Sequence, residues 1–235
     1  MVLARLVGAV AAVAAAPAAT AAADSAAAAA VASSSAGLIG WAARGRVDRV
    51  RQLLAGGAKP TTVDEGGGTG VHAAARRGHY GVIGELVAAG AAADAPDADG
   101  RRPLHWAALH DHQDALAALL YAAARPGAPA DDQGRQPLHL AASAGALEPA
   151  ATLIQAGAPV DPRDLDGCTP LQWSAFHGHF EVSSLLLEAK ADAAATCVDG
   201  SSPLHWAARG HAAVAQLLLS AGASPRALDG EGASP

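Results

Sequence analysis

The apolar positions of this chain come in short paired blocks separated by polar turns. Pro-Leu-His-Trp-Ala-Ala at 103–108 is followed by a Leu-rich run, and the pair then recurs. Further copies stand at 137–142 (Pro-Leu-His-Leu-Ala-Ala), 170–175 (Pro-Leu-Gln-Trp-Ser-Ala) and 203–208 (Pro-Leu-His-Trp-Ala-Ala). Their prolines lie 34, 33 and 33 residues apart. Self-similarity at that period predicts stacked supersecondary units rather than one globular core. Each block reads as a short helix. Thr169, Ser202, Arg102 and Gln136 take the N-cap place, where a hydroxyl can accept from an otherwise orphaned backbone N–H. Proline suits the first helical position, which needs no donor. The leucine then faces the core, and the Ala pair keeps that face thin enough for a second helix. Gly78, Gly145, Gly178 and Gly210 follow as left-handed caps. Asp111 takes that place less favourably in the third copy.

The second helix is the Leu-rich run: 119–120, 153–154, 185–187 and 217–219. After it come Gly-Ala pairs at 90–91, 157–158 and 222–223, then a polar turn with Asp-Gly. The whole pattern, Thr-Pro-Leu-His-x-Ala-Ala, resembles the ankyrin repeat over nearly everything after about residue 36. The resemblance implies an all-α solenoid of about six helix-turn-helix repeats with short β-turn fingers. Divided by period, the repeats run at about 36–63, 64–96, 97–130, 131–163, 164–196 and 197–228, with a seventh starting at 229–235.

The copies differ in informative ways. The first lacks Pro-Leu-His and carries Arg44, Arg46, Arg49 and Arg51, which suits a capping repeat with one wet face. In the second, Gly70 replaces the proline and Gly66, Gly67 and Gly68 form the turn; glycine's entropy cost predicts the most mobile finger there. In the third, residues 121–129 are expected to extend the second helix until Pro126 stops it. Pro149 falls in a first helical turn, where it is tolerated. The sixth copy is one residue short between Ala208 and Gly210, and the final Ser-Pro reads as a cut inside a seventh repeat.

Residues 1–35 are a different kind of sequence. Arg5 precedes an uncharged, Ala-dominated stretch to Ala23, with Pro17 inside it. This resembles a secretory signal peptide with a weak apolar region. An organelle transit peptide and a low-complexity tail are rival readings, the first supported by the serines at 33–35. An intracellular, cytoplasmic protein is favoured, with secretion or organelle import through residues 1–23 as the alternative.

Composition narrows the function. Only 3% of the 235 residues are aromatic, too few for a core of ordinary type, whereas stacked helix pairs can still bury a spine. A net charge of −6 offers no field for nucleic acid or an anionic membrane. Cys168 and Cys197 are too few for a disulfide framework and fall in turns of neighbouring repeats, so free thiols are expected. No Asn is present, which excludes N-glycosylation.

The ten histidines sort by register. His72, His105, His139 and His205 hold the fourth motif place, while His79, His112, His179 and His211 start second helices. His110 and His177 share a third position. The resemblance implies that the motif histidine bridges backbone groups of adjacent loops. The spacings also lack the i, i+4 pairs and Cys or Glu companions of a zinc site. No metal and no cofactor are expected. Trp41, Trp106, Trp173 and Trp206 share the register of Leu140 and read as wide core residues, with a sugar- or base-stacking strip as the rival. The run at 66–70 lacks the lysine of a phosphate loop, and no nucleophile elbow occurs. The chain is not expected to be an enzyme.

What remains is a binding surface. In ankyrin arrays the turn tips and the exposed ends of first helices line a groove for partners. Carried over by register, those positions are Arg76 and Arg77; Asp99, Arg101, Leu109 and His110; Gln133 and Arg135; Cys168, Phe176 and His177; and Ser201 and Arg209. Phe176 and His177 beside Leu109 and His110 would make an apolar, protonatable patch. The expected function is a non-catalytic, monomeric scaffold that binds another protein. Neither nucleic acid nor membrane is expected as a partner. The alternative is a regulatory or substrate-recruiting segment of a larger enzyme, because the Pro-Leu-His-Trp-Ala-Ala copies also resemble the ankyrin region of DHHC-type protein S-acyltransferases.

Overall fold

A computed structural model describes residues 35–127 and 130–235. The Ala-rich segment and its targeting readings therefore lie outside the described residues. Within them are twelve helices in six pairs: α1 (Ser35–Ala42) and α2 (Val47–Ala55), α3 (Gly70–Arg76) and α4 (Tyr80–Ala88), α5 (Pro103–Leu109) and α6 (Gln113–Tyr121), α7 (Pro137–Ala144) and α8 (Leu147–Gln155), α9 (Pro170–His177) and α10 (Phe180–Glu188), α11 (Pro203–Ala207) and α12 (Ala212–Ser220). The fold is all-α and repeating. The described chain divides into two compact units, residues 35–103 with 114–124, and 104–113 with 125–235.

Each unit packs by the same rule. In the first, α1 packs on α2 and α3, and α4 packs on α2 and α3. In the second, first helices stack as α7, α9, α11 and second helices as α8, α10, α12, with each pair joined across. The motif leucines 138, 171 and 204 and the second-helix leucines 153, 186 and 218 are buried along these stacks. Each such leucine stabilises the fold by about 1.5–3 kcal/mol through transfer from water. Ala141, Ala142, Ala175 and Ala207 are buried between helices, where a larger side chain would force them apart.

Helix starts depend on the fourth motif residue more than on a hydroxyl. The N-cap N–H of Gln136 donates to Nδ1 of His139 at 3.0 Å, and that of Ser202 to Nδ1 of His205 at 3.1 Å. In the fifth copy, the Thr169 N–H donates to Oε1 of Gln172 at 2.7 Å. Thr69 also shows the expected hydroxyl cap, accepting from Val71 N at 3.2 Å. Helix ends follow the expected left-handed pattern at Gly78, Gly145 and Gly178, with φ of 75°, 71° and 74°, and at Asp111 with φ 56°.

Two expectations about helix ends are corrected. The second helix of the third copy does not run on to Pro126. It stops at Tyr121 because Ala123 turns left-handed (φ 65°) and Ala124 N closes onto Leu119 O at 3.0 Å. Gly210 is not a left-handed cap: α11 is five residues long, is capped by right-handed Ala208, and leaves Gly210 at φ 144°.

The turn tips are built on an aspartate. The Asp97 Oδ1 accepts from the N–H of Asp99 and Arg101, and Asp131 and Asp164 do the same two and four residues on. Even the glycine tip of the second copy uses it, Asp64 Oδ1 accepting from Gly66 N and Gly68 N. In the second unit the tips are strung together by backbone bonds, Leu165 N to Gln133 O, Val198 N to Asp166 O and Gly230 N to Asp199 O, at 2.7–3.1 Å.

Candidate functional site

Two layers of histidine hold the repeats in register, each through an Nε2 that donates to a backbone carbonyl of a neighbouring copy. In the motif layer, Nδ1 of His72, His139 and His205 accepts the cap N–H, so the proton sits on Nε2 and donates to the next tip. The acceptors are Arg101 O for His72 (3.2 Å), Arg135 O for His105 (3.0 Å), Cys168 O for His139 (3.1 Å) and Ala233 O for His205 (3.2 Å). A second proton would point at an N–H donor. Burial accordingly pushes the His72 and His139 imidazoles below their ordinary value, against the pull of nearby carbonyls and aspartates. In the second layer, His79, His179 and His211 donate from Nε2 to Ala43 O, Ser143 O and Phe176 O at 3.0–3.2 Å. Among the described residues no group of three His, Cys, Asp or Glu side chains is placed to hold a metal ion. No helix there is long and apolar enough to cross a membrane.

The second layer also explains the glycines at 45, 145 and 178, each of which faces an imidazole of the next copy. A Cβ on Gly178 would stand 2.2 Å from Nδ1 of His211, and one on Gly145 would stand 2.6 Å from Nδ1 of His179. The ring needs that empty space as much as the backbone needs its positive φ.

The third class of histidine stacks on tryptophan. His110 lies parallel to Trp106 with centroids 6.0 Å apart, and His177 to Trp173 at 6.3 Å. Burial lowers the His177 pKa, and His179 and His211 nearby push it the same way. The two pairs do not form one patch. The first-helix neighbours of α9 are α7 and α11, so Phe176 meets Trp206 edge-on at 5.2 Å rather than Leu109.

Between the fifth and sixth copies, the tips and first helices enclose a pocket of about 460 Å³. Its walls are Trp173, Phe176 and Trp206, its rim is Asp166, Val198 and Asp199, and Gln172, Cys168 and Cys197 complete it. The tryptophans are thus not simply wide core residues. Leu140 is buried, but Trp173 and Trp206 are half-buried and turn part of their rings into this pocket. The Trp173 indole N–H is held by Asp164 Oδ2 at 2.8 Å.

Cys168 and Cys197 are bonded to each other, not free. The stacking of tips is the reason. Cys197 occupies the aspartate position of its tip, and its N–H takes Ser201 O. With Val198 N on Asp166 O, that position falls beside the last residue of the preceding tip, and the two Cα atoms are 4.5 Å apart.

The residues expected to bind a partner fare unequally. Phe176 (42% exposed) and Cys168 line the pocket, His177 abuts Phe176 at 4.9 Å, and the Arg209 guanidinium covers Trp206 at 4.8 Å. Gln133 and His110 are exposed and Leu109 is half-buried. Arg135 is committed to Asp131 by a two-pronged ion pair; burial opposes the charge of that carboxyl, but the Arg135 fork and backbone N–H groups hold its pKa low. Ser201 is buried and donates to Asp199 at 3.0 Å. In the first unit, Arg76, Arg77 and Asp99 are exposed, and Arg101 lies 3.7 Å from Asp99. Register reasoning missed Trp173 and Trp206 as pocket walls; their one signal was tryptophan where Leu140 stands in the fourth copy.

A family model described as ankyrin repeats (3 copies) matches residues 38–130 and again residues 138–229. The search of curated proteins returns no match.

Proposed function

Because the chain belongs to the ankyrin-repeat family, we propose that it works by holding another protein in the groove of its repeats and carries no chemistry of its own. Repeats of this family are generally protein-interaction modules, whose stacked units offer an extended rigid surface. The observation that carries the reading is the aromatic pocket between the fifth and sixth copies. Half-exposed tryptophan and phenylalanine in a preformed concavity are what interface anchors consist of, and a rigid wall lowers the ordering cost of binding. Residues 36–235 are the binding domain in this reading, acting as a monomer. Cys168, Phe176, His177 and Arg209 form the centre of contact. Leu109, His110 and Gln133 extend it within the second unit, and Arg76, Arg77, Asp99 and Arg101 are the equivalent register positions of the first unit, taken by itself. The Cys168–Cys197 bond bears on location. Such bonds persist in oxidising compartments, which supports export through residues 1–23 over residence in the cytoplasm.

Affinity capture with the full chain, read by mass spectrometry, tests the proposal. Phe176→Ala should weaken retention of the captured partner about fivefold to thirtyfold while leaving the melting temperature nearly unchanged. Undiminished capture would sink the groove assignment. So would a loss of stability as large as that from a buried leucine.

A further inference from the structure

We infer that the pocket between the fifth and sixth copies takes the side chain of an arginine, presented by an extended basic segment of the partner. The inference rests on the groove-binding reading and names the chemistry that would fill it. Three observations converge on a cation. The pocket's walls are the ring systems of Trp173, Phe176 and Trp206, whose faces attract positive charge. Its charged lining residues are two carboxylates, Asp166 and Asp199, with no cation among the residues that line it. Its other polar groups are already used: the Gln172 amide bonds Thr169 N, Ser201 O and Ala195 O, and the Trp173 N–H bonds Asp164.

The hydrogen-bonding capacity left to an incoming group is therefore acceptor capacity. Asp199 spends its oxygens partly on Ser201. Asp166 contributes its N–H to Asp164 and its carbonyl to Val198 and Cys168. Its exposed carboxylate makes no bond or ion pair among the described residues. A ligand that brings donors and positive charge gains here, and one that brings a carboxylate is repelled.

Arginine fits better than lysine because a planar guanidinium can lie on a ring and offer two N–H groups to one carboxylate. The protein makes that contact itself. Arg209 lies 4.8 Å over Trp206, and Arg44 lies 5.1 Å over Trp41 in the same register of the first copy. Neither Arg209 nor His177 is among the pocket-lining residues.

Selection of a random peptide library on the immobilised full chain tests the inference. The expected result is enrichment of arginine-containing basic peptides whose binding weakens about fivefold in Asp166→Asn with Asp199→Asn, and weakens also in Phe176→Ala. Asp166→Asn alone should leave the melting temperature unchanged, since its carboxylate supports nothing in the fold. Enriched apolar or acidic peptides that respond to Phe176→Ala but not to the aspartate variants would overturn the arginine assignment and leave the groove reading standing. Lysine peptides binding as tightly as their arginine counterparts would also overturn it. Peptides insensitive to every variant, or no enrichment at all, would sink both.

Discussion

The fifth and sixth repeats begin with the same motif and end differently. α9 runs eight residues and closes on Gly178, whereas α11 stops after five, one residue of its last turn being missing. The second helix that follows is nevertheless docked in the same manner. His211 donates to Phe176 O at 3.0 Å, as His179 donates to Ser143 O. A lost residue is thus absorbed in the end of the first helix, where few contacts depend on it. The spacing between repeats is held by bonds from one copy to the next, so it survives. The tips differ in parallel. The fifth is organised by Asp164, whose oxygens take two N–H groups and the Trp173 indole; the sixth has Cys197 in that position and is tied to its neighbour covalently.

That contrast can be broken at several points. The largest effect is expected from Leu186→Ala, which empties a site with no solvent exposure between the stacks and should cost about 2–5 kcal/mol in chemical denaturation. Replacing Cys168 and Cys197 together by serine should cost about 2–4 kcal/mol, because the closed loop no longer limits the unfolded chain. Reducing agent should reproduce that loss in the parent protein and change nothing in the double variant; equal melting temperatures with and without reductant would show that the sixth tip does not depend on the bond.

The two glycines offer a finer test. Gly178→Ala should cost about 2–3 kcal/mol, against about 1–2 kcal/mol for Gly210→Ala, since both strain the backbone but only the first meets an imidazole. A Cβ at 210 meets nothing within 4 Å. Equal costs would remove His211 as the reason for the difference.

The smallest effect concerns pH. The fifth copy caps its first helix with Gln172, the fourth with His139. The His139 pKa is lower in the fold than its ordinary value near 6.5. Between the two values the unfolded chain binds more protons, so stability falls as the pH drops below about 6.5. His139→Gln, copying the fifth repeat, should flatten part of that slope in thermal melts between pH 7 and 5, with the contribution of His72, shifted in the same direction, remaining. An unchanged slope would mean that the ring is not held neutral by its cap.

Much of this was legible beforehand because a repeat states its rule several times. Pro-Leu-His-x-Ala-Ala marks a helix start by local chemistry, and four copies at one period leave little freedom of interpretation. The errors fell where local chemistry is silent. Ala123 has no side chain that announces a left-handed turn, so the helix end at Tyr121 was missed in favour of the later proline. The 29-residue spacing of Cys168 and Cys197 is one period less the four residues of a tip, but that offset has meaning only once it is known which ends of adjacent tips touch. For Phe176, register alone suggested the right exposure and the wrong neighbour.

The sequence by itself determined the repeating helix pairs and their buried leucines, because each depends on residues within a few positions of one another. Only the tertiary structure decided which tips are bonded, which aromatic rings meet and where two carboxylates share a cavity. Those relations arise between copies, from the small offset with which each repeat settles on the last, and no single copy contains that offset.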